Sequence, residues 1–167
     1  MDKLQPAEDK IIHSIETEIM NKFSLPQKPK TFGEEYLFPE DTSNITSVEL
    51  GNWLFKLASW KGYALRLIAI AEMEKSVLED IFNTSLARRI GELDKGDRST
   101  KELALGKIIG KDEKMRKKKA KLIEKDAEVT SLRRLVEIYS FQFDAISREI
   151  TRRNSENRIM QGGGNYG

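Results

Sequence analysis

The sequence predicts an all-α protein: a long antiparallel helical hairpin with a short N-terminal helix, assembling as an oligomer. Three observations carry that prediction. Residues 46–93 contain no proline, and their apolar residues recur at alternating three- and four-residue steps: Leu50, Trp53, Leu57, Trp60, Ala64, Leu67 and Ala71, then Leu78 and Ile81. That spacing holds one stripe on one side of an α-helix. A second run, from about Asp112 to Asn154, does the same through Leu122, Val129, Leu132, Val136, Tyr139, Phe143, Ile146 and Ile150. The third observation is composition: 38% apolar and 34% charged residues suit helices with narrow buried stripes and wide solvated faces.

In chain order, Pro6 opens a short helix through Phe23. Proline stands at its start, acids fill its first turn, and Ile11, Ile12, Ile15, Ile19 and Phe23 share a face. Residues 24–45 hold three of the four prolines, which forbid a continuous helix. Phe32, Tyr36 and Phe38 in this linker either strap it onto the hairpin or order it on a partner. Thr46 followed by Glu49 is a capping-box start. The helix it opens would run about 48 residues, roughly 70 Å, so it must pair along its length. Glu74 and Ser85 interrupt its stripe, and a side stripe of Leu54, Ala58, Leu65 and Ile68 widens it. Gly96, Gly106 and Gly110 punctuate the connection to the second long helix and predict a long loop there, in which Leu103, Leu105, Ile108 and Ile109 make at most one helical turn or a short strand. The division is therefore an acidic helix and Pro-rich arm over 1–45, the hairpin over 46–154 with a basic tip loop at about 94–111, and a disordered Gly-rich tail over 155–167.

Because each face is wider than one partner covers, oligomerisation is expected. Trp53, Leu57, Trp60, Leu67, Leu132, Val136, Tyr139, Phe143 and Ile146 are the candidate core or interface anchors. With no cysteine and a single histidine, His13, neither a disulfide framework nor a metal or cofactor site is expected. Carboxylates such as Glu72, Glu79 and Asp80 lie on a charged face without a histidine or a phosphate loop beside them, so no enzyme is expected. No apolar leader or membrane-length segment is legible, and a cytoplasmic protein is expected.

The formal charge of +2 conceals an asymmetry. Residues 1–50 carry five Lys/Arg against ten Asp/Glu, whereas residues 91–167 carry eighteen against thirteen. The densest basic stretch holds Lys107, Lys111, Lys114, Arg116, Lys117, Lys118, Lys119 and Lys121, and the hairpin would bring Arg88 and Arg89 to the same tip. Cations at a helix start oppose the helix dipole and repel one another, a cost that an anionic partner relieves. Nucleic acid is the expected anion, bound through its phosphates. The tip has no aromatic residue to stack on bases, so little base preference is expected. A second cluster, Arg148, Arg152, Arg153 and Arg158, either complements the end of the second helix or meets the acidic arm.

The segments NWLFKLASWKGYALRLIAIAEMEKS, GELDKGDRS and EKDAEVTSLRRLVEIYSFQFDAISREITRR give a layout that resembles the UvsY-like phage recombination mediators, over roughly Leu50 to Arg153. The resemblance implies a ring-like oligomer of helical hairpins that binds single-stranded DNA and hydrolyses nothing. It also implies a role in loading a RecA-type recombinase onto strands coated with single-strand-binding protein, in the cytoplasm of a phage-infected host. The family's basic motif has its nearest counterpart here in Arg88 and Arg89. The alternative is a helical phage assembly, scaffold or adaptor protein that binds no nucleic acid.

Overall fold

The computed structural model describes residues 5–92 and 100–162. Every regular element among them is helical: α1 (Gln5–Lys22), a single 3₁₀ turn (Glu35–Leu37), α2 (Ser47–Gly91), α3 (Lys101–Lys111) and α4 (Glu113–Gly162). The two long helices pack against each other, as the stripes predict. Among the described residues no helix is long and apolar enough to cross a membrane. Among the described residues no group of three or more His, Asp or Glu side chains is placed so that it could hold a metal ion.

The packing divides the chain into two compact units, where the sequence suggests one. The first contains α1, α2 from Ile68, α3, and α4 as far as Ser131; the second contains Leu25–Leu67 and α4 from Leu132. The arm expected over 1–45 is thus shared out, α1 to the first unit and the linker to the second. Because α2 and α4 are continuous helices, neither marks the division with a turn.

In the second unit, α2 starts where the capping box places it. The Thr46 backbone N–H donates to Glu49 Oε2 at 2.9 Å, and the Glu49 N–H donates to Thr46 Oγ1 at 3.2 Å. Leu50, Leu57, Trp60 and Ala64 of α2 meet Tyr139 and Ile146 of α4 in a core from which water is excluded. The linker straps onto this core through Phe32, Phe38 and Ile45. Edge-on rings run from Phe38 to Trp53 to Trp60, with centroids 5.6 and 6.1 Å apart. Tyr139 continues the series at 5.9 Å from Trp60. The polar handles of its two fully buried rings both end on the strap: Trp60 Nε1–H donates to Thr31 Oγ1 at 3.0 Å and Tyr139 O–H to Glu35 at 2.7 Å. Burial and the neighbouring Glu35 carboxylate push the Tyr139 hydroxyl above its ordinary pKa. The strap turns at Gly33, whose φ of 105° excludes ordinary side chains. Tyr36, by contrast, is exposed.

Arg153 closes the other end of the strap. Its guanidinium donates to the carbonyls of Thr42, Ser43 and Ile45, while Glu149 receives both Arg152 and Arg153. The two arginines hold the Glu149 carboxyl far below its usual range, at about 2. So one member of the cluster, Arg153, meets the arm, through backbone carbonyls and not through its acids, while Arg152 pairs with Glu149 and Glu156 of its own helix. The helix runs on to Gly162, through residues expected to be disordered, and has no basic residue in its last turn.

In the first unit, Phe82 and Leu86 of α2, Ile108 of α3 and Met115 of α4 form a three-helix core, with Ile90, Leu105, Ile109 and Leu122 packed around it. The connection expected to be a loop is therefore largely a helix. Thr100 caps it by accepting from the Leu103 N–H, and burial of Ala104 and Ile108 outweighs the cost, about 1 kcal/mol each, of Gly106 and Gly110 in a helix. The two interruptions of the α2 stripe prove to be answered from α4. Glu74 takes an ion pair from Lys125 at 2.6 Å, and Ser85 Oγ accepts from Lys118 Nζ at 3.0 Å.

Candidate nucleic-acid interface

The candidate site is built where three helix ends of the first unit meet. Arg88 and Arg89 stand in the last turn of α2, and Lys111 in the last turn of α3. Cations are favoured at helix C-termini, so Arg88 and Arg89 are well placed and Lys111 sits without the dipole cost expected of the basic stretch. That cost applies only to the cations in the first turns of α4. There Asp112 offsets it: Oδ1 accepts from the N–H groups of Lys114 and Met115 at 2.9 and 3.2 Å, capping α4.

Asp112 also organises the cations around it. Its second carboxylate oxygen lies 3.0 Å from Arg89, whose guanidinium also reaches Glu92 at 2.9 Å. Burial pulls the Asp112 carboxyl upward, but the two cap N–H groups and Arg89 outweigh it and hold the pKa below its ordinary value. The Glu92 hydrogen bond, with Asp112 beside it, raises the Arg89 guanidinium further. Arg89 is therefore a fixed positive charge. Beside it lies an open groove of about 770 Å³ lined by Arg89, Lys107, Lys111 and Lys114, with Glu92, Asp112 and Glu113 interspersed.

The ten cations picked from the sequence do not form one patch. Arg89, Lys107, Lys111 and Lys114 come together at this groove. Arg88, Arg116 and Lys117 are exposed; Arg88 lies 3.4 Å from Glu92, and Lys117 pairs with Glu113 at 3.0 Å. Lys118 and Lys119 turn toward α2 instead: Lys118 reaches Ser85, and the Lys119 ammonium sits 5.4 Å from the centre of the Phe82 ring. Both are half-buried. Lys121 lies elsewhere, in a groove shared with Ile12 and His13 of α1 and with Glu74, Glu124 and Glu128. The segment of residues 93–99, expected to form part of the tip, lies outside the described residues.

Chemically, the arrangement is an open groove lined by ammonium and guanidinium groups, with acids that fix some of them in place. It offers a phosphate several donors at once but encloses nothing, so it suits a chain of anions better than a single small one. Sequence reasoning names Asp112 only as the approximate start of the second helical run and gives it no part in the site. Its place immediately before a helical pattern was the available signal. No family model, curated protein or solved structure matches this chain.

Proposed function

We propose that this chain is a non-enzymatic recombination mediator: it binds single-stranded DNA and helps load a RecA-type recombinase onto strands coated with single-strand-binding protein, in the cytoplasm of the host cell. The observation that carries the reading is the gathering of Arg89, Lys107, Lys111 and Lys114 at one open groove, with Arg88, Arg116 and Lys117 exposed nearby. Such a surface binds phosphates by charge and neglects sequence, since it has cations but no aromatic platform among its members. The helical layout resembling the UvsY-like mediators supports the second half of the reading. The mechanism is physical. Each chain makes a few weak phosphate contacts, oligomerisation multiplies them into avidity, and the held strand is weakened in its grip on the coating protein and offered to the recombinase.

A second reading, a scaffold or adaptor that binds no nucleic acid, is favoured by the acids that already answer part of the charge at the groove: Glu92, Asp112 and Glu113. A filament-assembly assay separates the two. A RecA-type recombinase is added to single-stranded DNA precoated with single-strand-binding protein, and the lag before filament growth is timed. The mediator shortens the lag in proportion to its concentration. An unchanged lag at saturating protein would leave the scaffold reading standing.

A further inference from the structure

The ends of α2, α3 and α4 converge on one residue. Asp112 stands between the last residue of α3 and the first of α4, in extended backbone. Its N–H donates to the Ile108 carbonyl at 2.8 Å and so closes α3. Its own carbonyl accepts from the Arg116 N–H at 3.0 Å and so opens α4. Oδ1 takes the cap N–H groups of Lys114 and Met115, and Oδ2 takes the Arg89 guanidinium from the end of α2. Every polar group of Asp112 is therefore committed, and together they tie the three helices to one point. Arg89 has less to hold it. Among the described residues its other ion pair is with Glu92, three residues along the same helix end, and Glu92 also takes Arg88 at 3.4 Å. A contact so local moves with the end of α2. It is Asp112 that fixes the guanidinium with respect to the helices carrying Lys107, Lys111 and Lys114, which line the groove with it.

We infer that Asp112, an acid inside a groove read as anion-binding, raises the affinity of that groove for phosphate by positioning Arg89. The inference rests on the phosphate-binding reading of the groove. Two effects oppose each other. A carboxylate repels an incoming phosphate, but this one is 19% exposed and already answered by two N–H donors and a guanidinium, so little of its charge faces the ligand. Against that, an unheld arginine is a rotamer-rich chain that must be ordered when it meets a phosphate, which lowers affinity several-fold. Asp112 orders it beforehand. The fork still has donors for a phosphate, since a guanidinium carries five N–H groups. Preorganisation therefore outweighs the repulsion. Glu92 supplies the comparison: it lines the same groove but is 47% exposed, and its partners Arg88 and Arg89 belong to its own helix end.

Fluorescence anisotropy of a labelled poly-thymidine oligonucleotide with the full chain, across a salt series, tests the inference. Asp112→Asn keeps the cap, since Asn serves as an N-cap as well as Asp does. With its oxygen so engaged, its NH2 meets the guanidinium donor against donor. Binding is expected to weaken ~3- to 10-fold at an unchanged salt slope, because Arg89 keeps its charge and loses only its place. Arg89→Lys also keeps the charge, leaves the cap untouched, and is expected to weaken binding comparably by removing the fork. Arg89→Gln lowers the slope by about 0.7, and in that background Asp112→Asn no longer weakens binding. Glu92→Gln removes the same charge as Asp112→Asn and is expected to tighten binding roughly 2-fold. Charge alone would make Asp112→Asn tighten it as well. Wild type that binds no oligonucleotide even at low salt overturns the phosphate reading and this role with it. Wild type that binds, with Asp112→Asn at or above its affinity or Arg89→Lys equal to it, overturns the positioning role alone.

Discussion

Replacing Lys107, Lys111, Lys114, Arg116 and Lys117 together with glutamine is expected to lower affinity for an unstructured single-stranded oligonucleotide about 10³-fold at roughly 0.15 M salt. All five side chains are exposed and outside both cores, so the helices and the thermal midpoint are expected to stay close to wild type. The magnitude follows from counterion release. Each phosphate contact to a single strand contributes a slope of about 0.7 in log affinity against log salt, so five contribute about 3.5. Carried to the salt concentration near 1 M at which that contribution vanishes, the slope gives the stated loss. Lys118 and Lys119 are left in place because they pack against Ser85 and Phe82; changing them would mix a stability effect into a binding measurement. Fluorescence anisotropy of a labelled oligonucleotide reads the effect. A variant that binds as wild type does would place the phosphate contacts elsewhere on the chain.

Trp60→Ala is expected to destabilise the second unit by about 3–5 kcal/mol, the usual cost of emptying a fully enclosed aromatic site. Trp60 has no exposed surface and touches Trp53, Tyr139 and Thr31 at once. Its loss removes the ring on which both long helices and the strap converge. Trp60→Phe keeps most of the ring but drops the Nε1–H, leaving Thr31 Oγ1 without that donor, and is expected to cost nearer 1 kcal/mol. Urea denaturation followed by far-UV circular dichroism measures both. A loss below about 1 kcal/mol for the alanine variant would mean that the strap and Tyr139 hold the unit without it.

The long helices were legible because their stripes are long and their start signal is local. Thr46 and Glu49 form the capping box that their spacing announces. Helix α3 was not legible. Gly106 and Gly110 argue against a helix over a short window, and only tertiary burial of Ala104 and Ile108 overrides them. The strap was half legible: aromatics among prolines suggested it. Its closure by Arg153 could not be read, because the acceptors are backbone carbonyls and no side chain marks them. The widening side stripe was misread in part. Ile68 is buried and Leu54 packs beside the core, but Ala58 is exposed and Leu65 is 48% exposed, since period alone does not say which of two apolar faces a partner covers. Phe143, picked as an anchor, is 37% exposed for the same reason.

Reading the basic run was harder, and the reason is geometric. Consecutive residues on a helix point in different directions, so a dense run is dealt out around the axis instead of forming a patch. Lys118 and Lys119 are turned to the core by that geometry, while Arg89, Lys107, Lys111 and Lys114 are gathered from three separate helices. The groove came from helix ends: the run supplied three of its four cations, from α3 and the start of α4, and the end of α2 supplied the fourth.

Retention of a labelled, unstructured single strand on a filter, across a salt series, tests the proposal of phosphate binding most directly. The groove cations with Arg88, Arg116 and Lys117 predict that log affinity falls linearly with log salt at a slope of about −4 to −5 per chain. Retention that ignores salt, or none even at the lowest concentration, would contradict it.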